Sequence, residues 1–223
     1  MPKLESSSSQ SAGGFKNNNI VQAWLVILLS LCFGSALAAV QVQLSDTIAA
    51  NKLNETLQQV PALIWGEGKT PAPGSVQITP GDVSVPKNGQ TSSMTVYRVA
   101  QDNKVAGWVV KADGQGYGDK LELLIGTDAD VQKITGLFVL EQKETPGLGN
   151  RISEPQWRNQ FVGKSTATPL KVVKGKGEGP ATIDAITGAT ISSRSVTAIV
   201  NKTIADLKGR LDATGGQFTK RSQ

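Results

Sequence analysis

The chain has 223 residues, 39% of them hydrophobic and 18% charged, with a formal charge of +5. That length suits one ordinary domain with tails, and the polarity excludes a protein of many membrane spans. Histidine is absent and cysteine occurs once, at Cys32, which excludes histidine-based triads, histidine-containing zinc sites, internal disulfides and four-cysteine iron–sulfur clusters.

Residues 1–19 are rich in Ser, Asn and Gly (Ser6–Ser9, Asn17–Asn19) and predict a disordered cytoplasmic tail. From Ile20 to Val40 no charged residue occurs, and that length predicts a transmembrane helix over 20–41. Trp24 sits near one end, where an indole favours the interface. Ala36-Leu37-Ala38 has the form of a signal cleavage site, but the apolar run is long for a signal, which favours a retained anchor. Cys32 within it reads as a core thiol rather than a lipoprotein acylation site, since Leu31 precedes it where a small residue is usual. Lys3 and Lys16 precede the segment and the next cation is Lys52. This asymmetry places the tail in the cytoplasm and the bulk outside it, periplasmic or extracytoplasmic in a bacterium. The span carries no ionisable residue, so it offers no ion path.

A juxtamembrane helix and loop are expected over 42–93. Ile48, Ala49, Leu53, Leu57 and Val60 recur at spacings of three and four behind Ser45 and Asp46, and Pro61 interrupts the pattern. Residues 66–93 hold Pro71, Pro73, Pro80 and Pro86 with several glycines, read as loop with a short strand at Ser75–Ile78. Strand-like runs follow at Met94–Ala100, Val105–Lys111, Leu121–Gly126 and Val131–Glu141. Gly126 to Asp130 forms the turn between the last two, which makes a hairpin. A short amphipathic helix is expected around Trp157, Phe161 and Val162, and a longer one through Val196, Ile199, Val200, Ile204, Leu207 and Leu211. Strands in the middle and helices at the ends predict an α+β domain over 94–211, a twisted, mostly antiparallel sheet flanked by helices. Residues 212–223 are polar and expected to fray. The loose group Lys164, Lys171, Lys174 and Lys176 has no interleaved aromatics and reads as a solvated face rather than a nucleic-acid site.

The chemistry concentrates in Asp184-Ala185-Ile186-Thr187-Gly188-Ala189-Thr190-Ile191-Ser192-Ser193, which leads into the last helix. Gly188 and Ala189 allow close backbone approach. A helix start offers unpaired amides and a dipole that favour a phosphate, and Thr187, Thr190, Ser192 and Ser193 add hydroxyls. On these grounds alone the segment is an anion site or an ordinary Ser/Thr cap.

The order Thr187-Gly188-Ala189-Thr190-Ile191-Ser192 with the preceding Asp184 resembles the flavinylation motif of the FMN-binding domain family. Two further segments resemble that family: Gly116-Tyr117-Gly118-Asp119 before the hairpin, and Glu144-Thr145-Pro146-Gly147-Leu148-Gly149 after it. The family includes the G subunit of the Rnf complex and the C subunit of the Na+-translocating NADH:quinone reductase, and the length of this chain favours the Rnf type. The resemblance implies one FMN per chain, esterified through its phosphate to Thr190. It implies that Asp184, Tyr117 and the 144–149 loop belong to the cofactor site, and that a separate flavin transferase attaches the FMN from FAD with a divalent metal, leaving AMP. Where members often carry a histidine before the 144–149 loop, this chain has Gln142 and Lys143.

The function so implied is an electron-transfer subunit of a membrane-bound, ion-translocating oxidoreductase. The partners would be other subunits of that complex, and the chain itself contributes no catalytic residue and no metal. FMN would carry the redox chemistry by single-electron steps, and the protein would bind and tune it. Three other readings share some of these features. They are a freestanding membrane-anchored flavoprotein, a non-redox module holding a phosphorylated ligand, and a hydrolase with a Ser or Thr nucleophile and Lys as base.

Overall fold

The computed structural model describes residues 19–69, 71–72, 74–87, 90–214 and 219–220. The tail expected over 1–19 therefore lies outside the described residues except for Asn19. The chain forms two compact units, Met1–Leu53 and Asn54–Gln223.

The first unit is helical, and a single helix, α1 (Asn19–Trp65), begins in it. Its most apolar 18 residues have a mean hydropathy of 2.3. Trp24, Leu28, Leu31, Phe33 and Leu37 are all more than 60% exposed. A helix this long and apolar can cross a hydrocarbon core, and an exposed belt of large apolar side chains needs a non-aqueous neighbour.

The sequence pattern places an interruption at Pro61, yet α1 runs through it to Trp65. Proline removes one backbone donor. The turn around it is held by Val60 and Leu63, both buried against Tyr97, Val99, Val109 and Leu124 of the second unit. The helix ends where Gly66 takes φ +91, its N–H donating to Ala62 O at 2.9 Å.

The second unit is built on a six-stranded antiparallel sheet. Its strands are β1 (Val76–Lys87), β2 (Gln90–Gln101), β3 (Lys104–Gln115), β4 (Lys120–Asp128), β5 (Ile134–Glu141) and β8 (Thr219–Lys220). They lie in the order β5-β4-β3-β2-β1-β8. A separate parallel pair joins β6 (Lys171–Val173) to β7 (Thr182–Asp184). The helices are α2 (Pro155–Arg158), flanked by short 3-10 turns, and α3 (Thr190–Thr214). The class is α+β. The expected hairpin is β4–β5, with Leu124 opposite Phe138 and Gly126 opposite Gly136.

Three further segments differ from the sequence pattern. The proline-rich stretch, read as loop with a short strand at Ser75–Ile78, carries the longer β1, paired over its length with β2. On its outer side, among the described residues, β1 meets only β8, at Gly81 and Asp82, and a sheet tolerates proline near such an edge. The last helix starts at Thr190 rather than at Val196, so Thr190 belongs to the helix itself. Within the polar end expected to fray, Thr219 and Lys220 pair with β1.

Period-two alternation divides the core between the sheet's faces. Val110, Leu121, Leu123 and Ile125 lie with Val196, Val200, Ile204 and Leu207 of α3 in one cluster. Val109 and Leu124 lie with the last turns of α1 in the other. A Cβ on Gly126 or Gly136 would stand 2.7 or 2.8 Å from Leu63 O, so glycine at this pair lets α1 rest directly on β4 and β5. Arg158, the last residue of α2, is buried. It donates from Nε to Ser153 O and from Nη1 to Leu137 O, and lies 5.1 Å over the Phe138 ring. Burial lowers its pKa, partly offset by the charge of Glu67.

Candidate functional site

Thr190 is the first residue of α3. Just before it, Ala189 N–H donates to Ile186 O at 2.9 Å, closing a tight turn, with Gly188 at φ +82. A turn of this kind needs a residue that accepts positive φ. Ser193, fully buried, staples the turn to the helix. Its Oγ accepts from Ile186 N–H at 3.1 Å and donates to Ala189 O at 3.0 Å. The first amides of α3, those of Thr190, Ile191 and Ser192, have no intrahelical acceptor.

The four hydroxyls of the motif therefore divide. Ser193 is consumed by its own turn, and Ser192 donates to Glu144 Oε2 at 2.7 Å. No described residue hydrogen-bonds the hydroxyl of Thr187 or Thr190. Thr187 is exposed, whereas Thr190 is half-buried at the helix start.

Glu144 joins three separate parts of the chain. It is 6% exposed. Its Oε1 accepts from Tyr117 N–H at 2.8 Å and Gly118 N–H at 3.2 Å, and its Oε2 accepts from Ser192. A Cβ on Gly149 would lie 2.7 Å from Glu144 Oε2 and 2.8 Å from Ser192 Oγ, so only glycine lets the 144–149 loop close over this carboxylate. Gln142 Oε1 accepts from Glu144 N–H at 2.7 Å. Lys143 pairs with Asp119 at 3.4 Å on the exposed side. The Lys120 N–H first, and then Lys143, hold the Asp119 carboxyl below its usual range.

These segments surround a cavity of about 740 Å³, within the range of small-molecule and cofactor sites. Of the residues singled out in the sequence, Tyr117, Glu144, Thr145, Leu148, Gly149, Thr187, Gly188, Ala189, Thr190, Ile191 and Ser192 line it. Pro146 and Gly147 shape the loop without lining the cavity. Asp184 faces elsewhere, its Oδ1 accepting from Gly177 N–H at 2.7 Å and its backbone carbonyl from Trp157 Nε1 at 2.8 Å. Tyr117, Leu148 and Ile191 are 62, 44 and 54% exposed, giving the mouth three large apolar surfaces.

Comparison with known proteins bears on this cavity. The sequence profile of the FMN-binding domain matches residues 116–205. The G subunit of the Na(+)-translocating ferredoxin:NAD(+) oxidoreductase complex of Acetobacterium woodii is 34% identical over 191 residues, covering 81% of this chain and 91% of the relative. The chain belongs to the FMN-binding domain family. The G subunit of the ion-translocating oxidoreductase complex of Methanosarcina acetivorans is 32% identical over 173 residues, 76% of this chain and 87% of the relative. Among solved structures, that of Shewanella oneidensis NqrC shares the fold, with a TM-score of 0.58 and 20% identity. The match covers 74% of this chain and all of that one.

The residues present fit FMN. The first amides of α3, without intrahelical acceptors, and the Thr190 hydroxyl, unengaged by any described residue, suit its phosphate, and the apolar mouth suits a flat ring. The tight closure at Gly149 and Gly188 leaves the space to a ligand rather than to side chains.

The sequence pattern does not point to Lys174 and Gly175, which also line the cavity. Lys174 reads in sequence as one of a loose group of surface lysines. The parallel pairing of β6 with β7, continued by Ala185 N–H donating to Val173 O at 2.8 Å, sets the end of β6 beside the motif. No local pattern announces a crossover of this kind.

Proposed function

We propose that this chain carries one FMN bound through its phosphate to the Thr190 hydroxyl, and passes electrons as a subunit of an Rnf-type ion-translocating oxidoreductase. The observation that carries this reading is the placement of Thr190. It is the half-buried hydroxyl at the start of α3, unengaged by any described residue, inside a cavity with phosphate donors at one end and apolar surface at the other. The relatives named as G subunits of ion-translocating oxidoreductases support the assignment to a complex. The exposed apolar part of α1 serves as membrane anchor, with the second unit on the extracytoplasmic side of a bacterial cytoplasmic membrane.

A threonine hydroxyl is a poor nucleophile without a base. The carboxylate in the cavity is already engaged by three donors, and the chain has no histidine. Attachment therefore falls to a separate flavin transferase. The Thr190 oxygen forms a bond to the FMN phosphorus of FAD, the bond to the AMP phosphate breaks, and the hydroxyl proton leaves to the transferase. FMN supplies the redox chemistry. The protein binds the phosphate with the α3 amides, flanks the ring with Tyr117, Leu148 and Ile191, and fixes the surrounding loops through Glu144.

The test is absorbance of the full chain purified from its native host, before and after denaturation and precipitation, beside Thr190→Ala. Yellow colour that stays with the denatured wild type and is absent from the variant supports the reading. Colour released from the wild type on denaturation, or colour that stays with denatured Thr190→Ala, contradicts the linkage. A colourless wild type from a host with an active transferase overturns the FMN assignment. Retention of the chain with other membrane subunits after solubilisation separates the complex subunit from a freestanding carrier.

A further inference from the structure

We propose that Glu144 lowers the reduction potential of the flavin by keeping a buried negative charge, without an ion-pair partner among the described residues, in the lining of its cavity. The inference rests on the FMN reading above and concerns what this chain adds to that cofactor.

The side-chain oxygens of Glu144 accept three hydrogen bonds and donate none, the pattern of an ionised carboxylate. It is buried, yet among the described residues no lysine or arginine forms an ion pair with it. The neighbouring cation Lys143 is turned outward to Asp119, and Lys174, also on the cavity wall, is exposed. Among the described residues its direct partners are two backbone amides and one hydroxyl, none of them a cation. Salt screens such a buried charge far less than a surface one.

The architecture does not need the charge. A glutamine has the same shape. Its carbonyl oxygen can accept from Tyr117 and Gly118, and its amide can donate to Ser192 Oγ. Burying an ionised carboxylate carries a desolvation penalty, so a neutral residue would hold the three segments at lower cost. What the charge adds is a field inside the cavity. Reduction places electron density on the flavin, and a fixed negative charge across a poorly screened cavity disfavours it. The start of α3 and Lys174 act in the opposite sense. Glu144 sets the balance between them, and acts as a positioning and tuning residue rather than a catalytic one.

The test is spectroelectrochemical titration of the flavin-loaded full chain and three variants. Glu144→Gln should shift the midpoint to more positive potential while near-ultraviolet circular dichroism stays that of the wild type. Ser192→Ala keeps the charge but removes one donor that offsets it, and should shift the midpoint negative. Lys143→Gln, altering an exposed ion pair beside the same loop, should leave it in place. A Glu144→Gln midpoint equal to or below that of the wild type overturns the inference. Should Glu144→Gln fail to load flavin, Ser192→Ala decides: an unchanged or positive shift overturns it. A colourless wild type removes the FMN reading and this inference together, whereas a loaded wild type with an unmoved Glu144→Gln removes this inference alone.

Discussion

Gly188 and Gly209 make opposite predictions for the same substitution. At Gly188 φ is +82, and an added Cβ would lie 2.9 Å from Leu148 Cδ2. A left-handed conformation costs an L-residue roughly 1–2 kcal/mol. The clash is with the far end of a flexible side chain, so Leu148 yields by turning its methyl away and adds less than about 1 kcal/mol. Gly188→Ala should therefore destabilise the second unit by about 1–3 kcal/mol. Gly209 lies inside α3 with nothing within 4 Å of an added Cβ, and Gly209→Ala should stabilise by roughly 0.5–1 kcal/mol through helix propensity. Urea unfolding of the detergent-solubilised chain, followed by the fluorescence of buried Trp108 and Trp157, reads both. Gly188→Ala should also load less flavin, because Leu148 stands at the cavity mouth. A Gly188→Ala protein as stable as the wild type would refute the account of the turn before Thr190, and a Gly209→Ala protein less stable than the wild type would refute the helix-propensity argument at Gly209.

Other substitutions probe the cavity wall and its supports. Lys174→Gln in a Thr190→Ala background should weaken added FMN by up to about fivefold, the scale of an exposed ion pair. The difference from Thr190→Ala alone should shrink as salt rises in an equilibrium fluorescence titration. Arg158→Met leaves Leu137 O and Ser153 O without their donor and should lower stability by about 1–3 kcal/mol for each uncompensated acceptor, measured by the same urea transition. The Asp119 carboxyl is held below its usual value by Lys120 N–H and Lys143. Its contribution is therefore present above the unfolded pKa of about 3.9 and is lost as pH falls through the lower folded value. The stability gap between wild type and Asp119→Asn, read by urea midpoints from pH 7 to pH 3, should narrow toward the acid end.

Local signals in the sequence locate the elements whose stability is local. The β4–β5 hairpin follows from alternating apolar residues around Gly126 to Asp130, and α3 from the spacing of Val196, Val200, Ile204 and Leu207. β1 escapes such a reading because Pro80 and Pro86 argue against a strand, and only its position near the sheet edge makes them acceptable. The passage of α1 through Pro61 depends on Val60 and Leu63 packing on a sheet formed much later in the chain. At the site the motif around Thr190 is legible in the sequence, and so are the two loops at Tyr117 and at Glu144 to Gly149. Two features are not. Glu144 binds those loops to α3 through contacts 26, 27 and 48 residues apart in sequence, and Lys174 reaches the cavity by the β6–β7 pairing. Asp184, grouped with the cofactor residues by its place in the motif, braces the Gly177 backbone instead.

The attachment of FMN at Thr190 is tested most directly by fragmentation mass spectrometry of the tryptic peptide from Gly177 to Arg194, taken from protein made in the native host. That peptide contains Thr182, Thr187, Thr190, Ser192 and Ser193, so every competing hydroxyl of the motif is present in one molecule. The account predicts a mass gain of FMN less water, carried by fragments that include Thr190 and by none that stop short of it. The same gain on Thr187 or Ser192, or an unmodified peptide from yellow protein, would contradict it.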